Sequence, residues 1–367
     1  MLLVSEPHLG EDEKAALAEV IDSNWITMGG RVRDFEQAFA AMHGAADAVA
    51  VSSCTAALHL ALDALDIGPG DEVLVPSLSF VATANSVIYC GAAPVFVDLE
   101  SLDRPLMDPA DAADKCGART RAVVIMHYGG TLCDPVVWRD FAGRRGLLIV
   151  EDSAHAVGTE RGEVFGDAAA FSFYGNKNIT TGEGGMVISH DPAVTERIRR
   201  KRGAGMTSGT YQRLGLRAGS YDVTMLGYNY RMTELNAAIG LKQLERLPHW
   251  NRTRRNLVAA YDDAITRICP DVTFGAATAT PHIMAAVLPP YANRMTVMGG
   301  LRDDGVQTSI HYPAIHTLSW FRERFPDIRL PVTEAFAERE LTLPLHPKMT
   351  QADVERVVAS LARHLGS

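Results

Sequence analysis

The sequence is short of several things, and each shortage closes off a class of function. Five cysteines occur in 367 residues, at 54, 90, 116, 133 and 269, odd in number and with no C-x-x-C pair. That scatter argues against a disulfide framework or a zinc site and fits reduced thiols. Basic residues are in deficit: 35 Lys and Arg against 44 Asp and Glu leave a net charge of −9, with no basic block or stripe. A nucleic-acid partner therefore has no electrostatic footprint, and any anionic ligand must be held by local geometry. No apolar run approaches the roughly 18 residues of a membrane span. The opening MLLVSEPHLGEDEK lacks the basic start and apolar length of a signal peptide. A cytoplasmic protein with no membrane partner is expected. Phosphate-loop, zinc-protease and nucleophile-elbow signatures are missing, and the 12 histidines fall in no metal-ligand spacing. Gly203 and Gly205 follow a helical pattern rather than a strand, so they make no dinucleotide fingerprint. No metal is expected.

What is present is an ordinary globular composition, 47% hydrophobic and 22% charged. Roughly 150 residues per domain predicts two domains, or one large and one small. From 47 to 189 short apolar runs alternate with helical patterns, which predicts an α/β fold with a largely parallel sheet covered by helices on both faces. AVAVSS, EVLVP, PVFVD, AVVIMH, LLIVED, AAAFSFY and GGMVIS read as its strands. Each ends in a small or polar cluster, where open α/β sheets place ligands. Residues 192–202 read as a charged helix, and 203–231 as a long Gly- and Tyr-rich stretch of the kind that covers a partner or a site. Residues 233–247 and 250–268 read as two helices broken at Pro248. A small α+β unit follows, with a helix near 295–304 and a closing helix at 350–365. The division expected is 1–248 and 249–367, with an N-terminal arm near the smaller unit.

Three strand ends carry polar groups. Glu151-Asp152 closes LLIV, and a carboxylate at the mouth of a buried strand is costly without a cation or donors. Lys177 follows FSFY among Ser172, Asn176, Thr180 and Thr181, which offer an anion backbone and hydroxyl donors. SSCTAA (52–57) joins a strand to a helix whose first N–H groups favour phosphate. Each has a plainer explanation: a capping Asp, a solvated Lys, a Ser N-cap. Together they match pyridoxal phosphate (PLP), which needs an amine for a Schiff base, a carboxylate for its pyridine nitrogen and a phosphate cup. Lys177, Asp152 and the set Ser172, Thr55 and Ala56 supply these.

Through SSCTAALHLAL, GPGDEVLVPSLSFVATANSV, GAAPVFVD, EDSAHAVG, FSFYGNKNITTGEGGMV, GYNYRMTELNAAIG and HYPAIH the chain resembles the DegT/DnrJ/StrS-type sugar aminotransferases, PLP enzymes of fold type I. The resemblance implies a large domain with a mostly parallel seven-stranded sheet and a small C-terminal α+β domain. It implies that Lys177 carries the cofactor and Asp152 pairs with its pyridine nitrogen. It makes His155 a ring contact, Phe80 a stacking aromatic, and Ser172, Thr55 and Ala56 phosphate ligands. Asn229 would reach the phosphate in a second subunit, implying a homodimer with shared sites. Thr27, Met28, Gly29, Arg231, His311 and Tyr312 fall on the substrate side. Cys54 stands where many relatives have Gly, and an exposed thiol there would be oxidation-sensitive. The implied reaction is ping-pong, from an amino donor, L-glutamate, through pyridoxamine phosphate as intermediate to a keto-sugar, nucleotide-linked. An inosose (cyclitol) aminotransferase, a sugar dehydratase and a non-catalytic PLP-binding regulator are the alternatives. Dehydratase relatives replace the lysine with His, and Lys177 argues against that reading.

Overall fold

The computed structural model describes residues 1–159, 164–209, 220–275 and 280–366. All seven runs form strands: β1 (Val49–Val51), β2 (Glu72–Pro76), β3 (Ala93–Val97), β4 (Thr120–Met126), β5 (Leu148–Asp152), β6 (Ala168–Ser172) and β7 (Gly185–Ile188). They make one sheet in the order β1-β7-β6-β5-β4-β2-β3. The β3, β2, β4, β5 and β6 neighbours pair parallel, whereas β7 runs antiparallel to both β6 and β1. Helices lie in the crossovers from β2 to β3, β3 to β4 and β4 to β5, whereas residues 153–167 carry β5 to its parallel neighbour β6 with no helix among the described ones. Residues 173–184 turn the chain straight back from β6 into β7. Lys177 sits in that fold-back, at the same sheet edge as the end of β5.

Helix Cys54–Ala64 lies under the sheet and is buried on nearly every side; Leu58, Leu60 and Leu62 are each at most 1% exposed. An apolar sequence all round, rather than a stripe, is what a central helix requires. Each such leucine contributes roughly 1.5–3 kcal/mol of burial. Ser53 caps the helix, its hydroxyl accepting from Ala56 N–H at 3.1 Å.

The Pro248 break does not occur. Helix Glu234–Ile268 runs through it as one 35-residue element, with the 248/249 position inside it. Proline costs an interior helix a donor and a steric clash. Here the flanking turns are fixed by burial of Leu244, Leu247, Trp250 and Asn251, and packing outweighs the local penalty. Beyond it, β8 (Thr273–Phe274), β9 (Met284–Val287) and β10 (Glu340–Leu343) form an antiparallel sheet in the order β10-β9-β8. Helices Arg294–Asp303 and Gln351–His364 match the two expected in this region. The N-terminal segment reaches the same unit: Leu2 bridges Val306, and Leu345 N–H donates to the Val4 carbonyl. No helix among the described residues is long and apolar enough to cross a membrane.

Candidate active site

Because β5 and β6 are parallel neighbours in register at Asp152 and Ala170, Asp152 and the segment after Ser172 emerge side by side. Asp152 is 3% exposed. Its Oδ2 accepts from Thr83 Oγ1 at 2.7 Å and its Oδ1 from Ala154 N–H at 3.2 Å. Burial raises its pKa against those two donors and the nearby Lys177 charge. A carboxylate so desolvated is stabilised by a cationic N–H more than by a second hydroxyl.

Lys177 is half-buried in the fold-back, its N–H donating to the Tyr174 carbonyl. Burial pushes its amine down from 10.5 to about 8, with Cys54 and Asp152 pulling the other way. An amine at that value has an appreciable neutral fraction near neutral pH, which is what a nucleophilic lysine needs.

The anion cup takes a different form from the expectation. Thr180 Oγ1 donates to the Phe173 carbonyl and Thr181 Oγ1 to the Glu183 carbonyl, so both hydroxyls are committed to the turn. The Ala56 N–H is committed to Ser53. The first helical N–H groups, those of Cys54 and Thr55, have no intrahelical acceptor. Ser172 is brought beside them through its strand partner Gly185. A Cβ on Gly185 would stand 2.6 Å from the Ser53 carbonyl and 2.8 Å from Cys54 N, so only glycine lets β7 approach the helix start this closely.

Phe80 is 56% exposed beside this group, its ring centroid 6.2 Å from that of Tyr312. His155 Nδ1 accepts from Gly129 N–H at 3.1 Å, which leaves the ring proton on Nε2 to donate to Tyr312 Oη at 3.0 Å. Burial, helped by the Lys177 charge, drives the His155 pKa well below its usual value, so the ring is neutral. His311 anchors Tyr312: its N–H donates to buried Glu340 at 2.9 Å and its Nδ1–H to Thr342 at 2.8 Å. Glu151 is fully engaged elsewhere, accepting from His127 and from the Phe165 and Gly166 N–H groups.

Five expected residues lie apart from this cluster. Thr27, Met28, Gly29 and Arg231 line a separate cavity of about 450 Å³. Its shape depends on buried Glu234, which accepts from Gly29, Arg31 and Val32 N–H at 2.8–2.9 Å and so caps helix Gly30–Met42. Asn229 is exposed on the segment that pairs with Ser52 and Val51 beyond the sheet edge. Cys54 is half-buried, and burial with the nearby Asp152 pushes its thiol well up, so little of it is thiolate. Two residues were not singled out from sequence. Thr83 carries no motif of its own, and His282, whose Nε2 lies 3.5 Å from Lys177 Nζ, is 105 residues away.

The donor set fits pyridoxal phosphate: a depressed amine, a buried carboxylate with no ion pair among the described residues, and open helix-start N–H groups around one sheet edge. Among the described residues no group of three or more His, Cys, Asp or Glu is placed to hold a metal. A family model for DegT/DnrJ/EryC1/StrS aminotransferases matches residues 7–362.

The chain belongs to that family.

Solved structures agree. The aminotransferase TlmJ from Streptoalloteichus hindustanus is 34% identical over 100% of this chain and 99% of its own, with a TM-score of 0.89. DesV from S. venezuelae is 33% identical over 97% and 94%, with a TM-score of 0.86. The sugar aminotransferase Spr1654 from Streptococcus pneumoniae, solved in PLP and PMP forms, is 26% identical over 99% and 98%, with TM-scores of 0.89 and 0.90. This is a family of sugar aminotransferases, and the fold is theirs throughout.

Proposed function

We propose that this chain is a PLP-dependent aminotransferase that moves an amino group from L-glutamate to a nucleotide-linked keto-sugar by a ping-pong mechanism, working as a homodimer with shared sites. The observation that carries the reading is the pairing of a depressed lysine amine with a desolvated carboxylate at adjacent strand ends. Residues 1–248 form the cofactor-binding unit and 249–367 the small unit.

Bound PLP supplies an aldehyde that accepts the amino group and a pyridine ring that withdraws electrons. The chain does the rest. Lys177 Nζ would hold the cofactor and, when neutral, would take the proton from the donor Cα and return it, a task suited to an amine that burial pushes down to about 8. Asp152 would hold the pyridine N–H, and Thr83 Oγ1 fixes the carboxylate by donating to its Oδ2. The Cys54 and Thr55 N–H groups, with Ser172, hold the phosphate, and Ala56 contributes through the Ser53 cap that shapes that turn. Phe80 would cover the cofactor ring and exclude water there. His155 and Tyr312 would border it as a neutral pair, adding no charge to compete with Asp152.

Asn229 reaches the phosphate of a second copy, and the cavity holding Thr27, Met28, Gly29 and Arg231 serves that copy's substrate. Their separation from Lys177 within one chain, together with the exposure of Asn229, supports the shared arrangement.

The test is a half-reaction. Purified protein loaded with PLP is mixed with L-glutamate and then with a nucleotide-linked keto-sugar. The expected result is conversion of the visible cofactor absorbance by the amino acid and its return with the sugar, both abolished by Lys177→Ala. No conversion by any amino acid contradicts the assignment and favours a binding regulator. Return by free inosose alone contradicts the nucleotide-sugar acceptor.

A further inference from the structure

His282 opens the segment leading to β9, in a unit distant from the lysine in sequence, yet the fold brings it to Lys177. Two contacts explain how. His282 N–H donates to the Gly129 carbonyl at 3.0 Å. Gly130, at φ +90°, leaves the place of a side chain to the Thr280 carbonyl, which would lie 1.9 Å from a Cβ there. The segment is thus laid directly on the end of β4, beside His155, and the two imidazole centroids are 4.2 Å apart.

The tautomer of His282 is settled by a chain of carboxamides. Asn251 Nδ2 donates to the Val157 and Gly158 carbonyls, both at 3.3 Å, which turns its Oδ1 outward as an acceptor. Asn178 Nδ2 donates to that oxygen at 3.2 Å and to the Pro281 carbonyl at 3.4 Å. Asn178 Oδ1 is then an acceptor too, and it faces His282 Nδ1 at 3.0 Å. The proton of a neutral ring therefore sits on Nδ1, and Nε2 presents a lone pair to Lys177 Nζ at 3.5 Å. The ring is 5% exposed, and burial with the Lys177 and Arg254 charges holds it neutral. Asp152, Cys54, His155 and His311 are the other titratable groups that interact with the amine.

We propose that His282 is a positioning residue for Lys177: its Nε2 accepts an N–H from the lysine nitrogen and thereby aims the nitrogen lone pair at the cofactor. The Asn178–Asn251 relay exists to keep that acceptor unprotonated. The ring is not the base, since its basicity is suppressed far below that of the amine it touches. The proposal rests on the role given to Lys177 above.

The test is the rate at which the full-length, cofactor-free protein captures PLP covalently, followed by visible absorbance at about pH 9.5, above the amine's value of about 8, so that the amine is neutral. His282→Phe keeps a ring without an acceptor, and His282→Gln returns an acceptor near the Nε2 position. The expected result is capture about tenfold slower in the phenylalanine variant, one hydrogen bond's worth, and within about threefold of the parent in the glutamine variant. The midpoint of the capture-rate pH profile moves down in the phenylalanine variant, because the ammonium has lost an acceptor. Equal rates in parent and phenylalanine variant, or a glutamine variant as slow as phenylalanine, overturns the proposal. If the phenylalanine variant does not fold, Asn178→Ala replaces it. That change frees the tautomer, so a several-fold slowing supports the relay and an unchanged rate overturns it. Lys177→Ala is run alongside: covalent capture by that variant sinks the assignment of Lys177, whereas normal capture by the His282 variants sinks only the positioning role.

Discussion

Lys177 is costly to the fold that carries it, and the cost is measurable without any cofactor. Its amine titrates near 10.5 in an unfolded chain and at about 8 in the folded one. At roughly 1.4 kcal/mol per pH unit that gap is about 3 kcal/mol against folding while the amine is charged. The side chain is only half-buried, and solvent screening reduces the figure to about 2 kcal/mol. Lys177→Met keeps the length and apolar stem and removes the charge, so the cofactor-free variant should be more stable than its parent by about that amount near pH 7, a Tm rise of roughly 2–4 °C. The pH dependence follows from the direction of the shift. Between about 8 and 10.5 the unfolded chain holds a proton that the folded chain has released, so parental stability rises with pH across that window. The advantage of methionine should be full below about 8 and fade toward 10.5. Thermal melts of both proteins at several pH values decide it. A variant no more stable than the parent near neutrality, or a gain that does not change with pH, refutes the reasoning about burial.

Three further outcomes are expected. Asp152→Asn should still capture PLP on Lys177 but slow the half-reaction with the amino donor by about 100-fold or more, read by stopped-flow absorbance, because a neutral amide cannot balance a pyridinium charge. The rate of covalent PLP capture by the parent should climb as pH rises through about 8, where the amine loses its proton; a profile centred near 10.5 would mean the amine is solvated. Glu234→Ala should destabilise the protein by about 3 kcal/mol in urea unfolding, because three N–H groups at the start of helix Gly30–Met42 lose one charged acceptor.

Much of the scaffold was legible because buried parallel strands announce themselves as apolar runs with polar ends. EVLVP became β2 residue for residue, and PAVTERIRRKR became helix Pro192–Arg202 with its Asp191 cap. The placing of Asp152 and Lys177 at one sheet edge was legible for the same reason: one closes a buried strand and the other lies in the turn just beyond its neighbour. Proline at 248 misled, since its local penalty is written in the sequence and the burial of Trp250 and Leu247 that overrides it is not. Thr180 and Thr181 misled in the opposite way. Their position beside the lysine suggested ligands, but the tight turn takes their hydroxyls for its own carbonyls. Thr83 and His282 were invisible. One is a small polar residue in the first turn of a short helix, the other a single histidine ahead of an apolar strand, and only the tertiary fold gives either a partner. Residues 210–219, within the stretch expected to cover a partner or site, lie outside the described residues.

Which nitrogen meets the cofactor decides the role of Lys177. Incubating the full-length protein with PLP, reducing with borohydride and mapping the modified peptide addresses that directly. A pyridoxyl mass increment on Lys177, within the peptide that follows FSFY, is the predicted result. A label on any other lysine, or no stable label at all, would contradict it.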